Sequence, residues 1–180
     1  MRTASTHRRN SVPPTMAFFA LATAVLLQAP PAASETLLGA FTDWEAFVDG
    51  KGKGRVCYLG AQPRKKEGKY KTRGDTYVLI THRPGEQKRD VFELRAGYRY
   101  KKNSEVGVAI GGYKARLFTA GDTAWAKDPG ADRALARAMI RGKTMVVRGT
   151  SSRGTPTTDT YSLTGFTAAY QAVSKACGVK

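Results

Sequence analysis

Few side chains in this chain of 180 residues are suited to catalysis, and those few are scattered. The histidines are His7 and His82. A Ser-His-Asp triad in the body of the chain has to use His82, and no G-x-S-x-G elbow accompanies any serine. His82 follows a run of strand formers and precedes Arg-Pro, so it reads as a strand-end residue. Zinc needs three or four ligands, and His82 alone does not supply them when the two cysteines, Cys57 and Cys177, read as bridged to each other. The acids Asp122 and Asp159 are the candidates for an acid-based site if they meet in space, although Asp159 sits among hydroxyl residues where a turn or capping role is expected. Gly107, Gly111 and Gly112 lack both the spacing and the βαβ context of a dinucleotide fingerprint. No catalytic set, cofactor motif or metal set assembles, and a non-catalytic protein is expected, with an exported hydrolase built on the scattered acids as the alternative.

Positive charge is the stronger chemical signal. Lysine and arginine number 30 against 14 acids, a net charge of +16. The excess is uneven: Lys51–Lys102 holds 16 bases and five acids, whereas Glu35–Gly50 holds four acids and no base. Within Gln62–Gly74 six cations, Arg64, Lys65, Lys66, Lys69, Lys71 and Arg73, surround Tyr70. Cations beside an aromatic suit phosphate and sugar surfaces, so these six are the candidate anion-binding residues. The stretch lacks an apolar pattern and reads as a mobile loop. A second segment, Ser151–Thr158, is rich in hydroxyls and glycine and carries Arg153. It offers backbone N–H groups to an anion but lacks the lysine and spacing of a P-loop; the plainer expectation is a connection before the last strand.

The elements that must position these residues follow the leader. Arg2, Arg8 and Arg9, the apolar run Met16–Leu27 and the small residues Ala29–Ser34 form the three-part layout of a secretory signal. An apolar run of 12 is too short to span about 30 Å of hydrocarbon as a helix. Residues 1–34 are therefore expected to be a cleaved signal peptide, and 35–180 a single domain in the periplasm or outside the cell, not an integral membrane protein. Export disfavours nucleic acid as the natural partner and favours an anionic envelope or host-surface glycan or lipid. An exported chain whose only cysteines are Cys57 and Cys177 reads as having one disulfide, the alternative being two free thiols.

Period-two alternation predicts strands over Phe41–Val48, Arg55–Leu59, Thr76–His82, Asp90–Arg95, the SEVGVAI run ending at Ile110, Tyr113–Phe118, Thr123–Trp125, Lys143–Arg148 and Asp159–Leu163. Asp132–Arg141 reads as a short helix with Gly142 after it. Phe166, Ala169, Tyr170, Val173 and Cys177 fall on one face of a C-terminal helix, with Thr164 placed to cap it. Many short strands with two helices predict a mainly β fold of the sandwich type.

Taken in order, the landmarks resemble one known family. They are Trp44, Cys57-Tyr58, Arg73-Gly74, Gly97-Tyr98, Leu117-Phe118, Ala124-Trp125, Ala138-Met139 with Gly142, and Cys177. The most distinctive is the run Gly149–Phe166, where S-x-R-G-T is followed by D-T-Y-S-L-x-G-F. Together they resemble the invasion-associated locus B family of exported bacterial proteins. That resemblance implies an immunoglobulin-like β-sandwich in the periplasm or cell envelope, linked in pathogens to host-cell invasion. It carries over no catalytic residue, and the middle segment is more basic than the resemblance requires.

Overall fold

The computed structural model describes residues 35–179; the expected signal peptide lies outside the described residues. Eleven strands and two helices follow in the order β1 (Thr36–Phe41), β2 (Trp44–Asp49), β3 (Val56–Ala61), β4 (Lys65–Gly68), β5 (Tyr77–Arg83), β6 (Lys88–Arg95), β7 (Glu105–Ile110), β8 (Tyr113–Ala120), β9 (Thr123–Trp125), α1 (Pro129–Arg141), β10 (Thr144–Thr150), β11 (Pro156–Ser162) and α2 (Phe166–Cys177). The strands form one antiparallel ladder in the order β1-β2-β3-β5-β6-β9-β8-β7-β10-β11-β4. The short strand β9 joins two halves of this ladder. Both halves turn their apolar side chains into one shared core, so the mainly β, sandwich-like class expected from the sequence holds.

Alternation sets the inward faces. Cys57 and Leu59 on β3, Val78 and Ile80 on β5, Phe92 and Leu94 on β6 come from one half; Val106, Val108 and Ile110 on β7, Met145 and Val147 on β10, and Tyr161 on β11 come from the other. Trp44 ties the halves together. Its indole N–H donates to the Ser162 carbonyl at 3.0 Å, and its ring meets Phe166 edge-on at 4.8 Å. A buried indole with its N–H satisfied contributes area without a stranded polar group.

The structure corrects several sequence expectations. The predicted strand Phe41–Val48 is broken by a tight turn at Thr42-Asp43, with Thr42 at φ 56°; β1 precedes the turn and β2 follows it. The signal in the sequence is the polar pair Thr42-Asp43, which interrupts the alternation between Phe41 and Trp44 with a turn-forming aspartate. The basic stretch 62–74 is not wholly loop: Lys65–Gly68 forms edge strand β4 against β11. All four of its residues are exposed, which is why it shows no apolar alternation, and charged side chains on an edge also discourage unwanted strand pairing. The connection between the expected strands Lys143–Arg148 and Asp159–Leu163 shrinks to 151–155, because Thr157 and Thr158 pair with Gly149 and Arg148 and lengthen β10 and β11.

Helix α1 begins earlier than the apolar spacing indicated. Asp128 caps it, accepting from the Ala131 N–H at 2.8 Å, and Pro129 occupies its first turn. Proline lacks an N–H that would be unsatisfied there anyway. Helix α2 buries Phe166, Ala169, Val173 and Cys177, the face predicted from spacing, but Gly165 rather than Thr164 occupies the cap position. Gly165 has φ 89°, and a Cβ there would lie 1.8 Å from the Phe41 carbonyl oxygen. Only glycine permits this approach of α2 to the β1–β2 turn. Cys177 at the far end of α2 is joined to Cys57 on β3.

Two predictions follow from this packing. The disulfide closes a sequence separation of 120 residues; in the chain-entropy account a loop of that length contributes about 5 kcal/mol. A Cys57→Ser/Cys177→Ser variant is expected to lose most of that in denaturant unfolding, and a loss below about 1 kcal/mol would show that the cross-link constrains the unfolded chain little. The second concerns Asp132, whose Oδ1 accepts from the Phe92 N–H at 2.9 Å and so fastens α1 to β6. Burial pushes its carboxyl up from 3.8 to about 6, with the Phe92 N–H opposing and the Asp90 charge reinforcing. The folded state thus holds this proton where the unfolded chain has released it, and the stabilising contribution of the protonated form is lost as pH rises from about 4 to about 6. Asp132→Asn keeps an acceptor oxygen and removes the charge. The variant is expected to match the parent near pH 4 and exceed it in stability at pH 7; a difference that does not change with pH would refute this.

Candidate functional site

The site begins with a carboxylate on the wrong side of a strand. Thr157, Asp159 and Tyr161 alternate on the buried face of β11, which carries Asp159 toward the core with a side chain only 3% exposed. A buried carboxylate needs a partner and hydrogen bonds. Arg73 provides both. Its Nη1 and Nη2 donate to the two Asp159 oxygens at 2.6 and 2.5 Å, and its Nε donates to the Ala96 carbonyl at 2.6 Å. The guanidinium lies between two rings, 5.4 Å from the Tyr70 centroid and 5.0 Å from that of Tyr98. Burial opposes the charge on Arg73, but the Asp159 hydrogen bonds and charge outweigh it and hold its pKa above the ordinary value. The planar fork of arginine suits this two-point contact; a lysine offers one point charge.

Above this pair lies a cleft of about 450 Å³. Three chain segments wall it: Lys69–Thr72 after β4, Tyr98-Arg99 after β6, and residues 151–157, which run from the β10–β11 turn into β11. The walls are fixed by hydrogen bonds between segments. Tyr98 Oη and Thr157 Oγ1 are 2.5 Å apart. The Ser152 N–H donates to the Arg99 carbonyl at 2.7 Å, and the Gly74 N–H donates to the Gly97 carbonyl at 2.9 Å. Ser151 organises the 151–155 turn through its own Oγ, which accepts from the Thr155 N–H at 3.1 Å. Gly97, at φ 72°, has the Gly74 carbonyl 2.3 Å from where a Cβ would stand, so the chain after β6 meets that before β5 backbone to backbone. Burial raises the pKa of the Tyr98 hydroxyl, with its Thr157 hydrogen bond opposing; it is a neutral hydrogen-bonding group at physiological pH.

The lining contains four cations, Lys69, Lys71, Arg99 and Arg153, and no acid. It thereby unites the two segments singled out in the sequence. The six candidate cations divide. Lys69 and Lys71 line the cleft, and Arg73 lies beneath it in the ion pair. Arg64 pairs with Asp43 of the β1–β2 turn, and Lys65 pairs with Glu67 at 2.9 Å. Lys66 is exposed on the edge strand. Arg99, Tyr98 and the Arg73–Asp159 pairing were not read as site features from the sequence. One signal was present: with Tyr161 facing inward, period two places Asp159 inward as well, and an inward carboxylate requires a cation.

The catalytic candidates do not converge. Asp122 lies 3.8 Å from Arg95, while Asp159 is held by Arg73, so the two acids serve different arginines. His82 is the penultimate residue of β5, a strand-end position as expected, and it is fully buried there. Its Nδ1 accepts from the Asp90 N–H at 3.1 Å, and its Nε2 is 3.3 Å from Ser174 Oγ. Asp90 Oδ1 in turn accepts from the Tyr170 hydroxyl at 2.6 Å. This set has the residue types of a triad but the opposite tautomer. An Nδ1 that accepts places the proton on Nε2, facing Ser174, so the imidazole cannot take the serine proton. Burial lowers the His82 pKa, which keeps the ring neutral. The cluster locks α2 to β5 and β6 beside the disulfide. Among the described residues no group of three or more His, Cys, Asp or Glu is placed to hold a metal ion, and no helix is long and apolar enough to cross a membrane.

Compared with known families, residues 44–174 match the one described as Invasion associated locus B (IalB) protein. The matched span runs from Trp44 on β2 to Ser174 on α2 and takes in every residue of the cleft. No curated protein and no solved structure matches the chain significantly.

Breaking one side of a buried ion pair strands the other charge, at a cost of about 3–5 kcal/mol. Arg73→Leu and Asp159→Leu are each expected to destabilise by that order in denaturant unfolding. The double variant is expected to lose clearly less than the sum, because no charge is left stranded. Strict additivity would show that the two side chains are not coupled.

Proposed function

We propose, from the premise that this chain belongs to the invasion associated locus B family, that it is an exported, non-catalytic envelope protein that holds an anionic partner. Residues 1–34 serve as the leader, and 35–180 form the single working domain in the periplasm or outside the cell. The observation that carries this reading is the cleft lined by Lys69, Lys71, Arg99 and Arg153 without a single acid. Cations gathered in a concavity focus potential more strongly than the same charges spread over a convex surface. Aliphatic stems and hydroxyls between them supply contacts that a solvated basic face lacks. Arg64 and Lys65 are engaged by acids and Lys66 stands on an edge strand, so they add to the surrounding field rather than to the cleft.

The partner is an acidic component of the envelope or of a host surface, such as lipopolysaccharide or an acidic glycan. Contribution to host-cell contact or to envelope survival then follows from that binding. Nucleic acid is not the natural partner of an exported protein, and the leader is removed rather than retained as a membrane anchor.

Titration against lipopolysaccharide and dextran sulfate at low and high ionic strength tests this. Binding is expected at low salt and to weaken steeply as exposed charges are screened. Replacing Lys69, Lys71, Arg99 and Arg153 together by glutamine is expected to reduce affinity at least about tenfold, ~1.4 kcal/mol, whereas replacing Arg64, Lys65 and Lys66 changes it by about twofold or less. No binding at low salt, or equal losses in the two variants, would remove the reading.

A further inference from the structure

We infer that the cleft walled by residues 69–72, 98–99 and 151–157 binds a phosphorylated sugar, with the phosphate monoester held by the four cations and the sugar ring by the hydroxyls and tyrosines between them. This rests on the anionic-partner reading above and narrows it to one ligand chemistry. Three features of the cleft distinguish a phosphosugar from a featureless polyanion.

The first is shape. The space of about 450 Å³ is lined by three chain segments, within the range of about 300–1,000 Å³ typical of small-ligand sites. A polymer read only by charge needs an extended basic stripe. Here the cations converge from three separate chain segments on one concavity.

The second is the mixture of groups. Thr72, Ser152 and Thr155 line the cleft together with the cations. Hydroxyls donate and accept, as the hydroxyls of a sugar require, whereas a lone phosphate needs donors alone. Tyr70 and Tyr98 are half-buried and line the same space. Each has the Arg73 guanidinium on its ring, which fixes both rings in place before any ligand arrives. Preformed aromatic walls suit the C–H surface of a sugar at small ordering cost.

The third is charge. Four cations and no acid match a phosphate monoester, which carries about −1.5 to −2 charges and three strong acceptor oxygens near neutral pH. A sulfate ester carries a single charge and is the poorer match. The Arg73–Asp159 pair adds no net charge, so the field in the cleft belongs to the lining cations.

The probes are glucose 6-phosphate, glucose 6-sulfate, glucose and inorganic phosphate, titrated into the folded, disulfide-intact protein by calorimetry and by amide NMR. Glucose 6-phosphate is expected to bind at least about tenfold more tightly than each of the other three. Its shifts are expected at Lys69–Thr72, Tyr98-Arg99 and Ser151–Thr157. Arg99→Gln/Arg153→Gln is expected to abolish the preference while leaving the thermal midpoint unchanged, since neither side chain contributes to the buried core. Lipopolysaccharide that displaces glucose 6-phosphate identifies the ligand as the head of an envelope glycolipid; failure to displace identifies a soluble phosphosugar. Equal affinity for inorganic phosphate and glucose 6-phosphate overturns the sugar contact, and equal affinity for the sulfate overturns the charge match. Polyanion binding without glucose 6-phosphate binding overturns this inference and leaves the broader reading standing. Absence of both removes both.

Discussion

An inward-facing carboxylate constrains the half of this molecule that carries the cleft. Strand β11 must bury Tyr161, and a strand's period of two then buries Asp159 as well. An unpaired carboxylate in that position is too costly to persist. Arg73 meets it with two hydrogen bonds and gives its third direction to Ala96. The chain between β4 and β5 is thereby drawn over β11 and against the chain after β6. Tyr70 and Tyr98 close around the guanidinium, and Lys69 and Lys71 are carried to the same place as Arg99 and Arg153. The ion pair is not itself a binding group; it ties the segment that carries Lys69 and Lys71 to β11 and to the chain after β6.

The other half is held by a different device. Helix α2 packs on β1, β2, β3 and β5, with Gly165 against the β1–β2 turn at one end and the disulfide to β3 at the other. Between them, the buried His82 and Asp90 and the half-buried Tyr170 and Ser174 form a hydrogen-bonded polar chain. Such a network favours one arrangement, because shifting α2 would strand polar groups of the buried His82 and Asp90. Residue types that suggest hydrolysis thus act as a fastener. Proton placement, not residue identity, separates the two roles.

Much of the fold was legible because burial follows simple periods. The inward faces of β3, β5, β6, β7 and β10 and the apolar stripe of α2 match the spacing of their side chains. Failures occurred where a period carried no signal. Strand β4 is exposed on all four residues, so its backbone pairing leaves no mark in residue type. The turn at Thr42-Asp43 divides a run read as one strand, although the two polar residues between Phe41 and Trp44 shift the period of two there. The basic stretch was visible as charge, but which cations were spent on Asp43, Glu67 and Asp159 depended on partners 2 to 86 residues away.

The sequence by itself determined the mainly β class, the two helices, the concentration of cations in the middle of the chain and the family landmarks, since these reside in composition, local period and residue order. Only the tertiary structure decided which cations face one another. It brought the 69–72 segment to 151–157, removed Arg73 from the exposed set and added Arg99. The physical reason is that a site assembled across sheet strands is specified by long-range register and by the pairing of buried charge, and neither has a signature within any single segment.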